Sequence, residues 1–297
     1  MQTSSIYNVG KLYSKRYVSD LLSFHNIRLK KSLGQNFLVD KQAVEKITRV
    51  AEINSEDIVL EIGPGIGHLT SCLLQNAKHV IALEIDQRFF PVLKGIFGAD
   101  PKLTLVQADI LKVDLKRRFE EIGIFPNKVV ANVPYYITTP ILTHLVDSNI
   151  IFEKVLFTIQ KEVAERYVAK PGAKTYGSIS VVVQYWGTAK ICGTLHPQCF
   201  FPVPKVASSL LCLDFHKEPV VGVANEELFF KVIKMAFSQR RKMLKNTLLP
   251  LEKEGYNLKE AFSKSGIDDS LRAEKLSVEN FARLTDALIC ASGFIEM

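Results

Sequence analysis

The chain reads Asp57-Ile58-Val59-Leu60-Glu61-Ile62-Gly63-Pro64-Gly65-Ile66-Gly67 where an apolar segment runs into three glycines at alternate positions. The apolar run predicts a buried strand that ends at Ile62, and the spacing within Leu69–Leu74 predicts a helix soon after the glycines. Glycine lets a backbone pass close to a ligand and adopt turns that are closed to other residues. The stretch therefore predicts a strand, a ligand-binding loop and a helix in succession.

Strands and helices alternate downstream of this loop. Further strands are predicted at His79–Ile85, Leu103–Gln107, Lys128–Ala131 and Lys154–Ile159, with helices near Arg88–Ile96, Pro140–Val146 and Lys161–Val168. Two later segments, Ala189–Thr194 and Ser208–Phe215, are typical of a closing antiparallel pair. The alternation predicts an α/β fold whose mostly parallel sheet is covered by helices on both faces.

The pattern changes at Lys217–Ala224, a linker rich in Pro, Gly and Val. Beyond it only helical periodicity remains, as at Val278–Ile289. We therefore predict an N-terminal extension with a helix at residues 1–28, an α/β domain at residues 29–220 and a small all-helical domain at residues 221–297. The β-branched segment Ser178–Trp186 fits a strand, but its length also allows a buried helix.

Polar side chains stand at the ends of successive predicted strands. Glu84 ends the second strand, 21 residues beyond Gly63, where a carboxylate can accept both hydroxyls of a ribose. Asp109 ends the third strand and precedes Ile110, a pair suited to an adenine amine and an apolar wall. Asn132 directly follows the next predicted strand, Lys128–Ala131. Because ligands of such sheets bind outside the carboxyl ends of the strands, we expect these residues to converge on one ligand.

The motif Asn132-Val133-Pro134-Tyr135 follows directly on a buried apolar run. An asparagine amide carries an acceptor and donors, so it can hold the exocyclic amine of a base. Proline has no N–H, which readily leaves a carbonyl in such a turn free to accept a hydrogen bond. A neighbouring aromatic ring supplies a face on which a base can stack. The motif is what methylation of a base amine needs, although a strand ending in a proline turn would look the same.

Composition and charge favour a protein with a polyanionic partner. The chain is 47% hydrophobic and 23% charged, as ordinary globular proteins are, and its net charge is +7. Residues 231–245 contain six lysines and arginines and no acid, and a second basic cluster lies within Lys11–Lys31. Such clusters bind phosphates without reading base sequence. A solvated helix face is the simpler interpretation of each.

Other classes of protein receive less support. The five cysteines are scattered without paired spacing, which predicts free thiols in a reducing compartment and no metal site. No apolar run reaches the roughly 18 residues that span a bilayer, so we expect no membrane association and a cytoplasmic location. A nicotinamide-binding site is a remote alternative, because its fingerprint needs a glycine where this chain has His68.

Taken in order, the motifs resemble those of the ribosomal RNA adenine dimethyltransferases that act on the small subunit. The resemblance runs from about Leu29 to the C-terminus. Its marks are Lys31-Ser32-Leu33-Gly34-Gln35-Asn36-Phe37-Leu38, the Glu61–Gly67 loop, Glu84, Asp109, Asn132–Tyr135, Phe201-Pro202-Val203-Pro204-Lys205-Val206, Phe237-Ser238-Gln239-Arg240-Arg241-Lys242 and Arg272-Ala273-Glu274-Lys275-Leu276-Ser277. Two positions depart from the family pattern: Val133 replaces the usual Leu, and Ala207 stands where Asp is common.

The resemblance implies a donor, S-adenosylmethionine, with S-adenosylhomocysteine as product and no metal. It also implies a class I methyltransferase fold with a seven-stranded sheet, in which Ser178–Trp186 is a helix. The donor site is expected to comprise Asn36, Leu38, Gly63, Glu84, Asp109 and Asn132, to which we add Gly65, Ile85 and Ile110 from the same loop and strand ends.

The expected substrate is the 6-amino group of two adjacent adenosines near the 3′ end of small-subunit rRNA. The protein is expected to have a role in biogenesis of that subunit. Asn132, Pro134 and Tyr135 would carry the transfer. The base and RNA contacts are expected at Tyr135, Tyr136, Phe200, Phe201, Arg240, Arg241 and Lys242. Partners would be the rRNA or a partly assembled small subunit, bound by a monomer.

Two alternatives stay open at this point. The chain resembles, more distantly, methyltransferases that modify large-subunit RNA and confer antibiotic resistance. It could also be a non-catalytic ribosome-assembly or transcription factor that retains the same fold.

Overall fold

The computed structural model describes residues 7–29, 35–98, 100–132, 134 and 137–292. These residues belong to two compact units. The first unit comprises the described residues of Met1–Ala164 and Lys190–Phe215, and the second those of Glu165–Ala189 and His216–Met297.

The described strands are β1 (Phe37–Leu38), β2 (Ile58–Ile62), β3 (His79–Glu84), β4 (Leu103–Gln107), β5 (Lys128–Ala131), β6 (Lys154–Gln160), β7 (Gly187–Leu195), β8 (Phe200–Phe201) and β9 (Ser208–Phe215). In the described part of the chain, seven of them form one sheet in the order β4-β3-β2-β5-β6-β9-β7. The strands from β2 to β6 pair in parallel, and β9 pairs antiparallel with β6. The predicted α/β fold with a seven-stranded, mostly parallel sheet is confirmed.

Helices connect these strands. They are α1 (Lys15–Phe24), α2 (Lys41–Val50), α3 (His68–Asn76), α4 (Phe90–Phe97), α5 (Leu115–Ile122), α6 (Thr138–Asp147) and α7 (Lys161–Tyr167). Short polar side chains begin several of them: the Asp40 carboxylate accepts from the Ala43 N–H at 2.9 Å, and Asp114 accepts from Arg117 at 3.0 Å. Each such cap satisfies a donor that the first turn leaves unpaired.

The central strands are buried, which explains their almost continuous apolar sequences. Val59, Val80 and Val130, from β2, β3 and β5, lie in one core cluster with Ile47 of α2 and Leu73 of α3. A second cluster joins the N-terminal extension to the same unit, because Val18, Leu21 and Leu22 of α1 pack with Ile66 and Phe89. The extension is therefore part of the first unit's core.

The second unit is helical. Its helices are α8 (Ser178–Trp186), α9 (Glu226–Ala236), α10 (Leu244–Leu248), α11 (Leu258–Ser265) and α12 (Val278–Ser292). Its core contains Tyr185, Phe229 and Phe281, each at most 1% exposed. In the described part of the chain, no helix is both long enough and apolar enough to span a lipid bilayer.

The segment Ser178–Trp186 is a helix, as the family resemblance implied and against its β-branched composition. Its Val181 and Tyr185, one helical turn apart, are buried in the core of the second unit. The predicted α/β domain at residues 29–220 included this segment. The structure groups Glu165–Ala189 with the C-terminal helices instead, because this buried face packs against them.

Candidate functional site

The loop after β2 has the backbone that its glycines predict. Gly63, Gly65 and Gly67 all have positive φ, at 71°, 58° and 91°. A Cβ on Gly65 would lie 2.8 Å from the Phe37 ring, and one on Gly67 would lie 2.4 Å from the Phe97 ring. The loop therefore needs glycine both for its dihedral angles and for the space between it and neighbouring side chains.

A cavity of about 260 Å³ opens at the carboxyl ends of β2 to β5. Every residue expected at the donor site lines it: Asn36, Leu38, Gly63, Gly65, Glu84, Ile85, Asp109, Ile110 and Asn132. Pro134 lines it as well. The parallel pairing of β2 to β5 brings Glu84, Asp109 and Asn132 together although they lie far apart in the sequence.

Glu84 is held in place by the backbone around it. Its carboxylate accepts the Gly65 N–H at 3.0 Å and the Asp86 N–H at 2.8 Å. Burial raises the pKa of this carboxyl above its usual range, despite these two bonds. Glu84 therefore ties the glycine loop to the end of β3.

The next wall of the cavity combines one carboxylate with apolar surface. The Asp109 carboxylate accepts the Leu111 N–H at 3.0 Å, which fixes its direction at the end of β4. Ile110 is buried, whereas Ile85 is 52% exposed, which is a large fraction for so apolar a side chain. A flat apolar ligand with polar edges would cover Ile85 and meet Asp109.

Asn132 is fixed by its own amide. Its side-chain Nδ2 donates to the Asn36 carbonyl at 3.0 Å. With that group engaged, the side-chain oxygen is what Asn132 presents for a further hydrogen bond. The bond also connects β5 to the residue that precedes β1, so the two cavity walls depend on each other.

The expectation that the Pro134 carbonyl is left free is wrong. This carbonyl accepts the Ile137 N–H at 3.2 Å, within the turn that leads into α6. A carbonyl oxygen has a second lone pair, so it can still accept one more hydrogen bond. Tyr135 and Tyr136 lie outside the described residues.

The structure does not bring Phe200 to the cavity. Phe200 is 1% exposed and packs in the main core, where β8 pairs it with Leu38. Adjacent residues of a strand face opposite sides, so Phe201 is the partly exposed member of the pair. Phe201 packs against the core cluster that contains Phe37 and Ile66, and among the described residues it is not part of the cavity lining.

Residues 26–289 match the family model of ribosomal RNA adenine dimethylase. The chain belongs to this family.

Curated relatives in the dimethylase family cover most of the chain. Ribosomal RNA small subunit methyltransferase A of Halothermothrix orenii is 42% identical over 275 residues, covering 91% of each chain. The protein of that name from Streptococcus thermophilus is 44% identical over 274 residues, covering 90% of this chain and 94% of its own.

Solved structures share the fold. A dimethyladenosine transferase from Plasmodium falciparum superposes with a TM-score of 0.67 at 25% identity, over 82% of this chain and 94% of that one. The 23S rRNA methyltransferase ErmE gives a TM-score of 0.62 at 24% identity, over 85% of this chain and 99% of its own.

The basic residues that carry the family's Phe-Ser-Gln-Arg-Arg-Lys pattern lie in the second unit. Arg240 is engaged within that unit: it lies 3.6 Å from the Glu274 carboxylate and donates to the Lys174 carbonyl. Arg241 and Lys242 are exposed. In the described ranges neither makes an ion pair, so both charges are available to a polyanion.

Two further residues of the cavity wall escaped the sequence-based predictions for this dimethylase. Glu61 is completely buried, and burial raises its pKa to about 8. His68 donates through Nε2 to the Leu12 carbonyl at 2.9 Å, and its ring stacks on Phe37. Burial lowers the pKa of His68 to about 4, so the ring is neutral at pH 7. The signal for Glu61 was an acid inside a strand of Ile, Val and Leu.

Clusters suited to metal ions were also sought. Within the described ranges, no group of three or more His, Cys, Asp or Glu side chains is placed to hold one.

Proposed function

We propose that the protein transfers methyl groups from S-adenosylmethionine to the 6-amino group of two adjacent adenosines near the 3′ end of small-subunit rRNA. The observation that carries the proposal is one cavity in which Glu84 and Asp109 lie beside Asn132 and Pro134. The carboxylates suit the donor's ribose and adenine, and the amide and carbonyl suit a base amine. Membership of the dimethylase family supports the same activity.

The cavity fits S-adenosylmethionine by its chemistry. Gly63 and Gly65 bring backbone to the cavity wall, and the described walls offer carboxylates to a positively charged ligand. Glu84 would accept hydrogen bonds from the ribose, while Asp109 would accept the adenine amine with Ile85 and Ile110 against the ring. When bound, the donor supplies a methyl group on a positively charged sulfur.

The protein's part in the transfer is alignment. The amino group of adenine is a weak nucleophile, because its lone pair is delocalised into the ring. The Asn132 side-chain oxygen and the Pro134 carbonyl would accept the two amine hydrogens and so direct the lone pair at the methyl group. Both acceptors bind more strongly as positive charge develops on the nitrogen, which lowers the barrier. Once the methyl group is attached, an N–H bond of the amine would break, its proton would pass to solvent and the nitrogen would be neutral again.

The Asn132–Asn36 hydrogen bond supports this role. It holds the amide in one orientation before the substrate arrives, so no free energy is spent on ordering it during the reaction. The turn bond from Ile137 does the same for the Pro134 carbonyl. After the first methylation one hydrogen remains on the amine, so a single acceptor then suffices.

The RNA contacts would be divided between the two units. The target adenine leaves its stack most cheaply from a single-stranded loop, and Tyr135 would stack on it in the pocket. Arg241 and Lys242 would bind phosphates without reading the sequence. We propose that a monomer acts in the cytoplasm on a partly assembled small subunit.

The experiment is methyl transfer from radiolabelled S-adenosylmethionine to three purified substrates, namely small-subunit rRNA, partly assembled small subunits and large-subunit rRNA. We expect label in adjacent dimethyladenosines near the 3′ end of the small-subunit RNA. Label confined to the large-subunit RNA would establish the alternative substrate, and no label in any substrate would establish a non-catalytic role.

A further inference from the structure

Glu61 is an acid in the middle of the sheet. It lies in β2 between Leu60 and Ile62, and its side chain is completely buried. One carboxyl oxygen, Oε2, accepts the Thr70 hydroxyl at 2.7 Å. The other, Oε1, has no hydrogen-bond partner among the described residues although it is buried. The Thr70 backbone N–H is a second donor to the carboxyl, but burial outweighs both bonds and disfavours the ionised carboxylate.

Among the residues that the structure describes, no lysine or arginine lines the cavity beside Glu61. Glu84 of β3 lies close enough to disfavour the charged form of Glu61, Thr70 of α3 donates to it, and the neutral His68 and Asp109 line the same cavity. Its register partners on β3 and β5 are the apolar Ala82 and Val130. Asp86, beyond Glu84, is paired with Arg88. The described walls of the cavity contain carboxylates and neither Lys nor Arg.

We propose that Glu61 carries a proton while the cavity is empty and releases it when the cationic methyl donor binds. The inference rests on the proposed function, because it takes S-adenosylmethionine as the ligand. The step is a simple ionisation: the O–H bond of the Glu61 carboxyl breaks, the proton passes to solvent, and the carboxylate keeps the electron pair. Donor binding and proton release are therefore coupled.

The physical cause is a change in the charge that faces Glu61. Burial and the nearby Glu84 raise its pKa to about 8 in the protein without ligand, so at pH 7 most of the molecules hold the proton. The donor's sulfonium and ammonium groups favour the ionised carboxylate. Binding at pH 7 should therefore release most of one proton per donor bound.

The coupling fixes how affinity depends on pH. A reaction that releases protons becomes more favourable as pH rises, so donor affinity should increase almost tenfold per pH unit between pH 6.0 and about pH 7. The gain diminishes as the pH approaches the value of about 8 at which the free Glu61 is half ionised. Measurements up to pH 7.5 stay below the usual titration range of an α-amino group, at about 7.7–8.0.

The test is calorimetric titration of the full chain with S-adenosylmethionine at pH 7.0 in three buffers with different enthalpies of ionisation. The dependence of the measured heat on buffer gives the number of protons released. We expect most of one proton for the wild type. We expect a clearly smaller value for Glu61→Gln, which keeps the shape and an acceptor for Thr70, and a wild-type value for Glu56→Gln, an exposed acid near the same strand.

The outcomes separate the two proposals. Donor binding without proton release, or unchanged release in a folded Glu61→Gln variant, would overturn the role of Glu61 and leave the proposed function intact. Absence of donor binding by the wild type would overturn both. If Glu61→Gln does not fold, the wild-type affinity decides: it must rise between pH 6.0 and 7.5, and a flat profile contradicts the coupling.

Discussion

Asn132 and Glu84 illustrate how the backbone orients polar side chains at this cavity. Asn132 uses its amide nitrogen on the Asn36 carbonyl, and Glu84 uses its carboxylate on the N–H groups of Gly65 and Asp86. In both cases a hydrogen bond to main chain sets the direction of the group before a ligand binds. The remaining oxygen lone pairs are then available for substrate or donor.

At this scale we predict that Glu84→Ala weakens donor binding at least tenfold while the protein stays folded. Hydrogen bonds to a charged group contribute about 1.5–3 kcal/mol each, and the substitution also leaves the Gly65 N–H without its acceptor. Calorimetric titration with S-adenosylmethionine measures the effect, with Glu56→Ala as control. A folded Glu84→Ala protein of unchanged affinity would remove Glu84 from the donor site.

Neutral His68 predicts a specific dependence of stability on pH. Its pKa is about 6.5 when unfolded and about 4 when folded, so the folded state binds fewer protons in between. The stability that the neutral His68 contributes is complete above pH 6.5 and is lost as the pH falls towards 4. Between pH 7 and pH 4, the free energy of unfolding of His68→Gln should fall by about 3 kcal/mol less than that of the wild type.

Urea denaturation at both pH values measures the difference. The exposed His196, replaced by Gln, serves as control and should behave as the wild type does. Equal losses in the wild type and in His68→Gln would show that the buried histidine is not the group that titrates.

The glycine loop is the element that fixes one wall of the cavity. Gly67 has a φ of 91°, and a Cβ there would lie 2.4 Å from the Phe97 ring. Gly123, which ends α5, also has a positive φ of 74° but has nothing within 4 Å of an added Cβ. Comparing alanine substitutions at Gly67 and Gly123 therefore separates the free-energy cost of the backbone conformation from that of steric overlap.

We predict that Gly67→Ala destabilises the protein clearly more than Gly123→Ala. The left-handed conformation costs about 1–2 kcal/mol with either alanine, and overlap with Phe97 adds to it only at position 67. The free energy of unfolding in urea measures both. Equal losses would mean that the Phe97 ring moves aside freely.

The turn between α9 and α10 carries two exposed cations, Arg241 and Lys242. We predict that Arg241→Ala with Lys242→Ala reduces the slope of log affinity against log salt by about 0.7 per lost contact on single-stranded RNA. Donor affinity should not change. As matched control, Arg117→Ala with Arg118→Ala removes two cations that are already paired with Glu121. A salt slope as steep as that of the wild type would contradict phosphate binding by this turn.

At the scale of the whole molecule, the sheet could be predicted because its signals are local and repeated. Each strand is a short apolar run, and parallel strands necessarily bring their carboxyl ends to one edge. This is why Glu84, Asp109 and Asn132, which are distant in sequence, were expected together and line one cavity.

The features that the sequence did not predict depend on contacts between distant segments. Glu165–Ala189 packs with helices that begin some forty residues later, which no local pattern reveals. Phe200 is buried because β8 pairs with β1, and the Pro134 carbonyl is engaged because the next turn closes on it. Glu61 was not predicted as a site residue because the sequence around it is typical of an ordinary buried strand.

The most direct test of the central claim is single-turnover methyl transfer to small-subunit rRNA by Asn132→Ala at saturating donor. Loss of one preorganised polar group at a reacting centre typically costs about 2.7–4 kcal/mol, so the rate should fall by about a hundredfold or more. RNA binding should survive, and Asn76→Ala, which removes an asparagine outside the cavity, should transfer at the wild-type rate. A folded Asn132→Ala enzyme with a near-normal single-turnover rate would contradict the amine-orienting role and the mechanism built on it.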